Sequence, residues 1–130
     1  MIHMKVTTRD EIPKVIRKAK RGQMESIWRA SGYVRTVMRN TLGKKKTPRP
    51  PGQPATSRTG RARSSILFAA DKRDQSSIIG PSYRMVGRSM QAHEFGLKYK
   101  GDKFVARPFA GPSIDKATPK LAPFWRGAVQ

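Results

Sequence analysis

Apolar residues at Ile12, Val15, Ile16, Ala19, Met24, Ile27, Trp28, Val34, Val37 and Met38 recur mostly at spacings of three and four. That is the period of one face of an α-helix, so it predicts a long amphipathic helix over 9–42, either one element or two in line. Thr8 or Asp10 is a candidate N-cap, and Pro13 suits the first turn, where a missing amide donor loses no helical partner. Gly22 and Gly32 are the weak points. At about 1.5 Å per residue such a helix spans roughly 50 Å, more than a small domain needs to cover its own core. Part of the apolar stripe is therefore expected to face another subunit. Lys14, Arg17, Lys18, Lys20 and Arg21 give the first half a basic flank, which by itself reads as a solvated helix face.

The pattern stops at Gly43. The segment 43–63, GKKKTPRPPGQPATSRTGRAR, holds four prolines, three glycines and seven basic residues, with no large apolar side chain. Pro48, Pro50, Pro51 and Pro54 favour polyproline geometry and remove backbone donors, which excludes a helix or a central strand. Two readings stay open: a flexible linker, or a stiffened arm that reaches a partner at low entropic cost.

Beyond Arg63 the period changes to that of strands. Segments 64–70 (SSILFAA) and 76–80 (SSIIG) flank the polar DKRDQ and predict a β-hairpin. A short helix over 86–95 follows, ended at Gly96, where a left-handed residue commonly closes a helix. A turn at Lys100, Gly101 and Asp102 leads to a third strand expected over 103–107. The last segment starts well for a helix, with Pro112 in its first turn, but Pro119 and Pro123 interrupt it. Leu121, Phe124 and Trp125 still require burial.

One hundred and thirty residues is the size of one domain, so 1–130 is read as a single unit: helix 9–42, arm 43–63 and a β-rich part 64–130. With 36% hydrophobic residues the core is expected to be modest. Twenty-eight Lys and Arg stand against eight Asp and Glu, a formal charge of +20. Such a surplus repels itself and attracts polyanions, and it calls for DNA, RNA, an acidic protein surface or anionic lipid as a neighbour. The chain has no cysteine, which excludes disulfides, thiolate zinc sites and cysteine nucleophiles. Its apolar runs, such as 66–70, are far shorter than the roughly 20 residues of a membrane span. No signal-type apolar core follows the first residues, so a soluble intracellular product is expected.

Catalytic patterns are sparse. His3 and His93 lack ligand spacing, and Leu97 stands where the second histidine of a zinc-protease helix would be. The sequence around Ser89 places Gln91 where a nucleophile elbow requires glycine, and no phosphate-binding glycine loop occurs. No enzyme activity, metal or cofactor is expected.

The order of features is more informative than any one of them. The proline arm leads into Arg58-Thr59-Gly60-Arg61-Ala62-Arg63-Ser64-Ser65-Ile66. Then come Ile79-Gly80-Pro81, Ala92-His93-Glu94-Phe95-Gly96, Ala106-Arg107-Pro108-Phe109 and Pro112-Ser113-Ile114. Over about 48–115 this series resembles the tail-completion and head-tail joining family of long-tailed bacteriophages, although Ala62 replaces the usual leucine. The resemblance implies an α+β fold: a long N-terminal amphipathic helix on a small antiparallel sheet of about three to four strands, with a short helix and an irregular C-terminal helical segment. It also implies a structural virion protein, made in the host cytoplasm, that forms a homo-oligomeric ring, hexamer or dodecamer, at the neck. Its partners there would be portal or adaptor and tail terminator or tail tube proteins, with DNA possible in the lumen, and no membrane. Minor capsid and minor tail proteins fall in the same family.

Roles can be proposed for the matched residues. Glu94 is expected to find a cation, with Arg107 as one candidate, fixing the short helix against the third strand. Gly96 lets the chain reverse, Phe95 and Phe109 fill the core, Gly60 and Gly80 bracket the hairpin, and Thr59 and Pro108 belong to the same structural set. The arm's Lys44, Lys45, Lys46, Arg49, Arg58, Arg61 and Arg63 are the candidate contacts to a protein partner or to DNA. The competing reading, a small basic nucleic-acid-binding protein, rests on charge alone, with Trp28, Tyr33, Tyr83, Tyr99 and Trp125 available for stacking.

Overall fold

The computed structural model describes Met4, residues 11–44, Thr47 and residues 49–128. It opens with α1, Ile12–Thr41, 30 residues without a break. Pro13 sits in the first turn as expected, and Glu11 is the N-cap, making no side-chain cap bond. The caps expected at Thr8 or Asp10 lie outside the described residues. Neither glycine interrupts the helix. Gly32 has open space beside its α-carbon, whereas a Cβ on Gly22 would overlap the Ala128 carbonyl, because the C-terminal turn rests directly on α1 there. Ser26, Ser31, Thr36 and Thr41 each donate a hydroxyl to the carbonyl four residues back, so these polar side chains satisfy themselves within the helix.

Burial on α1 begins at Ser26, with the C-terminal turn also resting on Gly22. Ile27, Ala30, Val34 and Met38 are buried, while Ile12 and Ile16, on the same face of the helix, are exposed, as is Val15 about 100° to one side of it. The body under the second half begins with α2, Arg61–Ser65, entered through Gly60 at φ 78°. Ser64 and Ser65, expected to open the first strand, are thus helical, and β1 spans Ile66–Asp71. It pairs antiparallel with β2, Ser76–Pro81, from Ile66 opposite Pro81 to Asp71 opposite Ser76. The hairpin forms as expected. Gly60 does not bracket it, however, because α2 intervenes, and Gly80 lies inside β2 opposite Leu67. Alternation turns Ile66, Phe68 and Ile79 inward and leaves Leu67 and Ile78 outside.

The short helix expected over 86–95 is two pieces, α3 Tyr83–Val86 and α4 Ser89–Phe95. Gly87, at φ 56°, breaks them apart. Gly96 ends α4 in the left-handed conformation, as expected. A two-residue hairpin follows, β3 Lys98–Tyr99 and β4 Asp102–Lys103, turning through Lys100 and Gly101, both at positive φ. That is the backbone a tight hairpin turn demands. The strand expected over 103–107 is absent past Lys103, because its backbone groups bond elsewhere: the Arg107 amide donates to the His93 carbonyl and the Ala106 carbonyl accepts from Gly52. The four strands therefore form two separate two-stranded sheets.

Helix α5, Ala110–Ala117, carries Pro112 in its first half, and the two later prolines confine the remaining C-terminal segment to 3-10 turns at Thr118–Lys120 and Ala122–Trp125. The fold class is α+β. Its core is Met38, Leu42, Ala55, Ile66, Met90 and Phe109, drawn from α1, the arm, β1, α4 and the entry to α5. At about 1.5–3 kcal/mol per buried large apolar side chain, this is a modest core held from many segments.

Candidate functional site

The motif segments that are far apart in sequence meet at one junction. Glu94, near the end of α4, turns its carboxylate to the start of α5. There it accepts the amide of Phe109 at 2.7 Å, that of Ala110 at 3.1 Å and that of Gly111 at 3.4 Å. The first amides of a helix have no partner within it, and the dipole there favours negative charge. A carboxylate from another helix meets both needs. The expected ion pair between Glu94 and Arg107 is therefore replaced by a helix cap, and the two ion pairs among the described residues lie elsewhere, one from the N-cap of α1 to its first turn and one within α1.

Three further contacts close the junction. The Arg107 amide donates to the His93 carbonyl at 2.6 Å. Gly96 passes so close to Ala106 that a Cβ would stand 3.2 Å from its nitrogen. His93 meets the Phe104 ring edge to face at 4.6 Å. Burial, and after it the positive charge of Arg107, push the His93 imidazole below its ordinary pKa. Phe109 is buried as expected, but Phe95 is 67% exposed. With Glu94 directed at α5, the next residue is turned about 100° around the helix and faces outward.

The arm is not an extended segment. It folds back so that Thr56 bridges Gly43, the Ser57 amide donates to the Gly43 carbonyl, and Ala55 enters the core. Arg49 donates to the Thr41 carbonyl at 3.0 Å, tying the loop to the end of α1. Arg63 in α2 donates to the Arg39 carbonyl at 2.9 Å. These two cations, expected as partner contacts, serve the fold at least in part. Lys44, Arg58 and Arg61 are exposed, while Lys45 and Lys46 lie outside the described residues. Thr59 holds the entry to α2 by accepting the Arg61 amide, and Pro108 is half-buried ahead of α5.

Two groups of exposed apolar residues lie on α1 and on the hairpin. Ile12 and Ile16 extend the buried stripe of α1 past the body, with Val15 beside it; Lys20 falls on the same stripe, and Lys14, Arg17, Lys18 and Arg21 turn to other sides of the helix. On the outer face of the hairpin, Ile78 is 79% exposed beside Leu67. No helix among the described residues is long and apolar enough to cross a membrane. The stacking candidates face different neighbours: Trp28 meets Phe68, Tyr33 meets Phe124, and Tyr83 is exposed.

Sequence reasoning missed Arg39. Its Nε and Nη2 both donate to the Ile66 carbonyl, at 3.2 and 2.9 Å, so it couples α1 to the start of β1. The available signal was its place in the last turn of a helix, where cations commonly meet free carbonyls. The seat that Gly22 offers the C-terminal turn was also missed, and only the absence of a side chain there hinted at it. Comparison with family models, with curated proteins and with solved structures finds no match to this chain.

Proposed function

We propose that the chain is a structural virion protein of a bacteriophage neck, a ring-forming tail-completion or head-tail joining component between the portal or adaptor and the tail. The observation that carries this reading is the junction built by Glu94. The segments whose order resembles that family, Glu94-Phe95-Gly96 and Arg107-Pro108-Phe109, are not scattered; one carboxylate and one backbone hydrogen bond lock them together. Residues recurring in order for a structural reason are expected to meet in space in this way.

Two features give the unit something to assemble with. The overhanging start of α1 and the outer hairpin face, through Val15, Ile16, Leu67 and Ile78, carry exposed apolar residues of the kind a neighbouring subunit covers. A ring of copies each carrying +20 would also require anionic neighbours, in portal, adaptor or tail proteins or in lumen DNA. The chemistry needed is adhesion and positioning, with no reacting group and no cofactor.

The test is electron microscopy of particles made without the chain. Filled heads lacking tails, or tails that leak, are the expected outcome; normal infectious particles would overturn the proposal. A second reading, a free nucleic-acid-binding protein, draws on one observation: two exposed ion pairs among the described residues leave most of the cations without a carboxylate. Tight, sequence- or structure-selective binding to DNA or RNA that survives physiological salt would favour it.

A further inference from the structure

We infer that the pocket between the end of α1 and the start of α2 is a seat for a phosphate-type oxyanion, with a nucleic-acid phosphodiester as its ligand. The pocket, of about 290 Å³, is lined by Arg39, Lys44, Thr59, Gly60, Arg63 and Ser64. Three cationic residues line it, and no carboxylate is among its described lining residues. This inference does not depend on the neck reading, since the pocket is a property of the folded chain.

The two guanidinium groups are held by a reciprocal clasp. Arg39 of α1 donates Nε and Nη2 to the Ile66 carbonyl, while Arg63 of α2 donates Nε to the Arg39 carbonyl and Nη2 to Asn40 Oδ1 at 3.4 Å. A guanidinium has five donors. Carbonyls hold one edge of each, and neither Nη1 donates to a described residue. Both forks are thus fixed in orientation with donors left over, the arrangement that loses least entropy on meeting an oxyanion.

Lys44 completes the wall. Its side chain lies against Gly60, whose missing Cβ would stand 3.5 Å from the Lys44 Cδ, and it lines the same pocket. Thr59 Oγ1 accepts the Arg61 amide at 3.3 Å, which leaves its own hydroxyl proton free to donate. One guanidinium fork matches one carboxylate, whereas three cations and a hydroxyl around one small pocket exceed what a single carboxylate satisfies and suit a phosphodiester together with its neighbours along the strand, each of unit charge. That favours phosphate over an acidic side chain. Placing three positive charges together without an anion is also unfavourable, so the folded chain holds a standing demand for one.

The experiment uses the isotope-labelled full chain and two probes, inorganic phosphate exchanged against chloride at constant ionic strength and a short DNA duplex of arbitrary sequence. Amide resonances of Thr59, Gly60 and Ser64 are expected to move in the same direction with both. Saturation by DNA at far lower concentration than by phosphate identifies a phosphodiester as the source; saturation by phosphate with no response to DNA would overturn the nucleic-acid assignment. Lys44→Gln is expected to weaken DNA binding about tenfold and to lower the slope of log affinity against log salt by about one. Lys120→Gln, an exposed cation outside the pocket, serves as the control and is expected to change affinity less than about twofold. Equal losses in the two variants, or shifts at these amides with polyglutamate and not with phosphate or DNA, would overturn the proposal. Circular dichroism of both variants confirms that the fold is retained.

Discussion

Replacing Glu94 by alanine removes the acceptor for the Phe109 and Ala110 amides, which it meets at 2.7 and 3.1 Å, and for the weaker contact to Gly111. Loss of a helix N-cap costs about 0.5–2 kcal/mol, and a hydrogen bond to a charged group contributes about 1.5–3 kcal/mol. Glu94 is half-buried, so water partly replaces what is lost, and a net destabilisation of about 2–3 kcal/mol is expected. Glu94→Gln keeps one oxygen to accept the Phe109 and Ala110 amides and loses the weak Gly111 contact and the charge facing the helix dipole, about 0.5–1 kcal/mol. Equilibrium unfolding in urea, followed by circular dichroism, measures both, with the midpoint lowered and the slope unchanged. A double-mutant cycle with Arg107→Met is expected to give coupling below about 0.5 kcal/mol, because the carboxylate is engaged by amides and not by that guanidinium. Strong coupling to Arg107, or a Glu94→Ala variant as stable as the parent, would refute the cap.

Four further outcomes are expected. Gly32→Ala should stabilise by about 0.5–1 kcal/mol, since the position is helical with open space, whereas Gly22→Ala should displace the C-terminal turn from α1 and raise its protease sensitivity. Gly96→Ala should destabilise by about 1–2 kcal/mol in thermal unfolding, from a left-handed backbone and the close approach of Ala106 together. Because the folded His93 binds its proton more weakly than the unfolded chain does, its contribution to stability is complete above the ordinary histidine pKa of 6.5 and is lost as pH falls below it; His93→Gln should flatten the dependence of stability on pH there. Val15→Asp and Ile16→Asp should change monomer stability by less than about 0.5 kcal/mol, both positions being exposed, yet reduce self-association in sedimentation if the overhang is a subunit contact.

The elements legible in the sequence were those with a strong local signal. The period of α1, the hairpin, the left-handed Gly96 and the prolines that break up the C-terminal segment all act through neighbouring residues, and they appear where expected. Local signals failed where a distant segment decides. The segment beyond Lys103 has strand-like composition, but His93 and Gly52 take its backbone bonds. Glu94 sits among many cations, so charge alone predicted a salt bridge; the amides of α5, at least fifteen residues away, were the stronger claim. Phe95 points outward for the same reason. The arm shows the effect most clearly, because its prolines exclude regular structure without excluding order, and Arg49, Ala55 and Ser57 anchor it through groups that composition does not reveal.

The most direct measurement of the proposed role is cryo-electron microscopy of the neck in virions carrying this chain. The expected result is a ring of copies around the channel between portal and tail, each with the 30-residue α1 beside its hairpin and with Val15, Ile16 and Ile78 covered by neighbours. A fully traced neck with no density for the chain, or density that leaves both groups of apolar residues in solvent, would contradict it.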